Sequence, residues 1–166
     1  MAGDRRRFVM RQNLISIGDD YWIEDGDGKR YCEVDGKLLK VRKTLDLKDT
    51  SGKQRFKIQE ELVRVRKTMA ITQGGRTVAK VHKFLVSPIK DRFSIVVPGG
   101  TDMTAKGSIL DHEYSIERDG DTVAEISKAW FRIRDTYGLE LHTQDDPFLI
   151  LAITVAIDAM CHDNDD

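Results

Sequence analysis

Cysteine is nearly missing from this chain. The two present, Cys32 and Cys161, lie far apart without CxxC spacing, which argues against a disulfide framework or a zinc knuckle and fits a reducing cytoplasm. With only three prolines, no proline-rich region can form. The basic segment Met1 to Arg7 meets the polar Arg11-Gln12-Asn13 before any apolar stretch long enough for a secretory signal. Catalytic signatures are missing too. There is no GxSxG, P-loop or GxGxxG, and Cys32, Cys161, His82, His112, His142 and His162 show neither a ligand spacing nor a nucleophile and base pattern. The expectation is a protein that is not an enzyme and has no cofactor or metal site.

An apolar share of 40% with 33% charged residues over 166 positions excludes a disordered polyampholyte and an integral membrane protein as first readings. One core is expected, hence a single domain over residues 1–166, with 1–7 and 163–166 as flexible ends. The net charge of -1 hides a segregation. Met1 to Gly36 holds six basic and eight acidic residues (-2), Lys37 to Arg92 sixteen and five (+11), and Phe93 to Asp166 five and fifteen (-10). The basic middle third either presents an anion-attracting face or pairs strand by strand with the acidic parts.

A hairpin unit recurs along the chain, an alternating run entering a Gly-containing turn and a second run leaving it. It appears around Asp25-Gly26-Asp27-Gly28, around Asp49-Thr50-Ser51-Gly52, around Gly74-Gly75 and around Asp119-Gly120. Such turns need positive φ, which Gly and Asp tolerate, and period-two alternation on either side is the strongest local hairpin signal. Steps between the turn glycines at 28, 52, 75 and 120 are 24, 23 and 45 residues, the last close to two steps. Further strands are expected at 8–17, 38–42, 62–66, 93–97, 104–110 and 130–134. About a dozen strands form an antiparallel meander that closes to leave no raw edge.

A closed sheet needs filling, and the C-terminus supplies it. Asp146 and Pro147 form an N-cap and first helical residue. Residues 148–161 are then apolar all round except for Thr154 and Asp158, as a buried helix must be. About 20 apolar residues would be needed to span a bilayer. This run is shorter, and its acidic tail lacks the Lys/Arg flank of a membrane anchor. The fold class is therefore mostly β, a closed antiparallel barrel of about 12 strands around a central hydrophobic α-helix. Asp158, near the helix end, is expected to emerge at the barrel mouth, the alternative being a buried polar site.

The hairpins from Phe8-Val9-Met10-Arg11-Gln12 through Ile23-Glu24-Asp25-Gly26-Asp27-Gly28, and the closing Asp145-Asp146-Pro147-Phe148 with its apolar helix, resemble the LURP-one-related family. That family is similar in fold to the Tubby C-terminal domain and to phospholipid scramblases. The resemblance implies a twelve-stranded barrel around a central helix. Tubby-like domains bind phosphoinositides through basic residues on one side of the barrel, while many LURP-one-related proteins have no established activity. Scramblase-like lipid transport is not implied, because this chain has neither a proline-rich N-terminal region nor a cysteine cluster for acylation.

Alternation puts Lys40 and Arg42, Arg55 and Lys57, and Arg64 and Arg66 on the face opposite Leu39, Val41, Phe56, Ile58, Val63 and Val65, and Lys80 and His82 extend the set. Lys40, Arg42, Arg55, Lys57, Arg64, Arg66 and Lys80 are the candidate residues for an anion or lipid headgroup, since Arg offers a bidentate fork and Lys a point charge to phosphate. The bland reading is a solvated outer face. Asp25-Gly26-Asp27-Gly28 reads as a turn and not a calcium loop, because Lys29-Arg30 follow where further ligands would be needed. The expected function is a non-enzymatic binding module for phosphoinositides or an anionic membrane surface, cytoplasmic and peripheral to the membrane. The alternative is a structural or protein-interaction domain with no lipid ligand. Nucleic acid is not the expected partner, because the basic strands carry no interleaved exposed aromatics.

Overall fold

The computed structural model describes residues 6–11, 21–36, 42–61, 67–83, 91–130 and 136–161. Twelve antiparallel strands close into a barrel in which each strand pairs with its sequence neighbours and β1 pairs with β12. They are β1 (Arg6–Arg11), β2 (Tyr21–Asp25), β3 (Arg30–Gly36), β4 (Thr44–Asp49), β5 (Gln54–Glu61), β6 (Thr68–Gln73), β7 (Arg76–Lys83), β8 (Asp91–Val96), β9 (Met103–Ser108), β10 (Glu113–Arg118), β11 (Asp121–Ser127) and β12 (Thr136–Leu141). The one helix among the described residues, α1 (Pro147–Cys161), follows.

Alternation decides what faces inward. Ile23, Cys32, Val34, Leu47, Phe56, Ile58, Ile71, Val81, Phe93 and Ile95 are buried, while their neighbours along each strand, except the buried Asp46 and Ala70, are more exposed. The expected hairpin turns form at 25–29, 49–53, 73–76 and 118–121, each between consecutive paired strands. The double-length step is explained by a further turn, where Gly100 N–H donates to the Val97 carbonyl at 3.0 Å and Gly99 has φ 75°. Because strands alternate in direction, all five of these turns lie at one end of the barrel. One glycine inside a strand is required by packing. Gly107 has φ 136°, and a Cβ there would come within 2.8 Å of the Glu113 carbonyl and 2.9 Å of Tyr114 Cα.

The helix fills the interior as its composition demands. Thirteen of its fifteen residues are buried, and it packs along β5, β6 and β7. Asp146 caps its start, accepting the Phe148 N–H at 3.0 Å. Lys43 Nζ donates to the Ala159 carbonyl at 3.3 Å near its other end, where a cation complements the helix dipole. Thr154 satisfies its buried hydroxyl on the Ile150 carbonyl, 2.9 Å away.

One expectation is corrected. Asp158 does not emerge at the mouth but is 5% exposed, because wall residues supply polar partners inside. Of the strand expected at 130–134, Trp130 sits in a turn and the remaining residues lie outside the described residues, while the described strand β12 covers Thr136–Leu141. All six residues of β12 are buried, so the half-exposed alternation that marks other strands is missing there. The strands expected at 38–42 and 62–66 lie outside the described residues except for Arg42, which precedes β4.

Candidate functional site

The barrel end that holds the hairpin turns also holds the start of α1, and cations and rings gather there. Phe8, buried on β1, meets Tyr31 of β3 edge-on with ring centroids 4.9 Å apart. Tyr31 stacks in turn on Phe148, in the first turn of α1, at 4.9 Å and 27°. The Arg55 guanidinium lies over the other part of this floor, 4.4 Å from the Phe148 centroid, and only loosely paired, 3.8 Å from Asp146 and 4.0 Å from Asp49. A cation over a ring gains about 0.5–1 kcal/mol at an exposed site.

An open cleft of about 480 Å³ adjoins this floor, lined by Arg6, Arg7, Phe8, Asp25, Gly26, Asp27 and Tyr31. Arg6 has the strand parity of Phe8 and Met10 but stands at the strand's end, so its side chain is exposed at the mouth. It makes no ion pair among the described residues. Arg7, pointing to the outer face, is held by Glu140 at 2.7 Å and lies over the Trp130 ring at 5.2 Å. Asp25 is occupied by its own turn, accepting the N–H groups of Asp27 and Lys29 at 2.9 and 3.0 Å. This is the turn expected of Asp25-Gly26-Asp27-Gly28. Burial raises the Tyr31 phenol, while Arg6 and Arg55 pull the other way.

The described residues among the basic candidates singled out from sequence do not share one place. Arg55 borders the cleft, and Lys57 points outward on the same strand without an ion pair among the described residues. Lys80, on β7, pairs with Glu61 at 3.0 Å. Arg42 is exposed beside the start of β4, at the end of the barrel opposite Arg55. Lys40, Arg64 and Arg66 lie outside the described residues. Arg6 was missed, although its place two residues before the inward pair Phe8 and Met10 is readable.

At the opposite end, a polar group is enclosed that sequence spacing did not show. The Tyr137 hydroxyl donates to the Asp158 carboxylate. His112, 3% exposed and with φ 53°, stacks on the Tyr137 ring at 4.1 Å and brings Nδ1 to 3.6 Å from Asp158. The hydroxyls of Tyr21 and Tyr114 are buried nearby, with no hydrogen-bond partner among the described residues. Burial, and then the proximity of Asp158, push both phenols well up. The Asp158 carboxyl is itself pushed up to about 7 by burial, against the pull of the Tyr137 hydrogen bond.

No helix among the described residues is long and apolar enough to cross a membrane. Among known proteins, the chain is 28% identical over 158 residues to "Uncharacterized protein YxjI" of Bacillus subtilis (strain 168), a match covering 95% of this chain and 94% of that protein. The family model for LURP-one-related proteins matches residues 6–158, a span that runs from the first described strand to the buried aspartate of the helix. With the barrel, the central helix and that match together, the chain belongs to the LURP-one-related family.

Proposed function

We propose that the chain works as one non-enzymatic binding module that takes the phosphate of an anionic lipid headgroup at the helix-start end of the barrel. The observation that carries this reading is Arg6. It is a guanidinium with no ion pair among the described residues, at the mouth of a cleft of about 480 Å³ beside the stacked rings of Phe8, Tyr31 and Phe148. Cations and aromatic faces hold a ligand without transforming it. The volume falls in the range of about 300–1,000 Å³ common to ligand clefts, and an arginine fork matches phosphate oxygens two at a time. Arg55 adds a second guanidinium at the border, over the Phe148 ring, and Lys57 follows on the same strand.

Peripheral attachment to an anionic membrane follows from this reading, with no spanning segment involved. Vesicle flotation tests it directly, comparing neutral vesicles with vesicles carrying phosphatidylserine or a phosphoinositide, at low and at high salt. Binding is expected only with anionic lipid and is expected to weaken as salt screens the exposed charges. Arg6→Glu combined with Arg55→Glu should abolish it. Unchanged flotation of that double variant, or no flotation of the parent chain at low salt, would sink the proposal and leave a protein-interaction domain as the reading.

A further inference from the structure

On the outer wall, β11 and β12 place Glu125 directly opposite Glu140. Like charges facing each other across neighbouring strands are unfavourable unless something positive lies between them. Glu140 is also 4% exposed, so one carboxylate of the pair is withdrawn from water. The backbone then brings a third group to the same place. The N–H of His142 donates to the Val123 carbonyl at 2.8 Å, which continues the strand pairing past β12 and returns the His142 side chain to the face of Glu140, two residues earlier. Its Nε2 lies 3.0 Å from Glu140 Oε1 and 3.3 Å from Glu125 Oε2, and the three donor atoms are all within 4.8 Å of one another.

We infer that Glu125, Glu140 and His142 form a three-ligand site for a divalent transition-metal ion of the zinc type. Tetrahedral zinc holds nitrogen and oxygen donors at about 2.0–2.2 Å, which sets neighbouring donors about 3.3–3.5 Å apart. Two edges of the triangle are within a few tenths of an ångström of that. The third closes by rotation of Glu125, whose side chain is 46% exposed and free to turn. Arg7 holds the other Glu140 oxygen, Oε2, at 2.7 Å, which fixes the orientation of the ligand carboxylate as outer partners do in metal sites. Zinc takes the lone pair of His142 Nε2, with the ring proton on Nδ1, and a fourth position faces solvent for water. One imidazole among two carboxylates favours zinc and its neighbours over magnesium or calcium, which prefer oxygen alone.

Calorimetric titration of the purified full-length chain with zinc chloride tests the site, with cobalt as a visible-absorbing substitute. One equivalent of zinc is expected to bind and raise the melting temperature, with magnesium having no effect. His142→Ala and Glu125→Gln should each weaken uptake by about tenfold or more, while Glu117→Gln, on the outer face of β10, should leave it unchanged. Glu125 is exposed enough that its variant keeps the barrel folded, which a melt without metal checks. No uptake by the parent chain, or equal uptake by the parent and the two ligand variants, would overturn the inference.

Discussion

Tyr137, on the wall strand β12, donates its hydroxyl hydrogen to Asp158 on the central helix, inside a barrel where both side chains are almost wholly enclosed. A polar contact in that place is worth more than its geometry suggests, because neither partner can turn to water if the other is lost.

Tyr137→Phe should therefore lower stability by about 1–3 kcal/mol, read as a shift in the urea midpoint with an unchanged slope. A double-mutant cycle with Asp158→Asn should be clearly non-additive. Additive losses would mean that the two side chains are not coupled.

Asp158 also makes a pH prediction. Its carboxyl titrates near about 7 in the folded protein against an ordinary 3.8, so the native state holds a proton that the unfolded chain gives up earlier. The contribution is complete below about 4, declines as pH rises toward 7, and is gone above it. The full span is on the order of 4 kcal/mol. Asp158→Asn should remove that decline, so the difference in stability between variant and parent should change across this window. A constant difference between pH 4 and pH 7 would contradict the assignment.

Two glycines separate backbone strain from crowding. Gly52, at φ 85°, has open space where a Cβ would stand, whereas Gly107, at φ 136°, has the β10 backbone within 3 Å. Gly52→Ala should cost about 1–2 kcal/mol from strain alone. Gly107→Ala should cost more, because the clash is with backbone that cannot rotate away. Thermal melts of the two variants compare them, and an equal loss would refute the close approach of β9 to β10.

Phe148 joins the helix to the cleft floor. Phe148→Ala should lower stability by about 3 kcal/mol through loss of the Tyr31 stack and the Arg55 contact, and should weaken vesicle binding as well. Full vesicle binding by a folded Phe148→Ala protein would show that the aromatic floor takes no part in it.

Much of this architecture is legible in the chain itself. Asp-Gly and Gly-Gly turns mark their hairpins because few other residues accept that backbone, and the run after Pro147 can only be buried. Less legible is anything that depends on which strands become neighbours across the barrel. Asp158 reads as a residue at the mouth until Tyr137 and His112 are seen to meet it. Glu125, Glu140 and His142 carry no motif, since their proximity comes from the β11–β12 register. Alternation tells that Arg42 and Arg55 face outward but not that they stand at opposite ends. Arg6 shares the parity of Phe8, but in the sequence it merges into a basic terminus.

The pairing of β1 with β12 is the clasp of a hoop. Every other neighbouring pair of strands is also adjacent in the chain, so eleven of the twelve joins form locally and only this one must find its partner from afar. A chain trimmed of β1 would keep its hairpins yet unfasten, baring two strand edges and one flank of an apolar helix to other molecules. Such a fragment would aggregate sooner than it would lose its secondary structure.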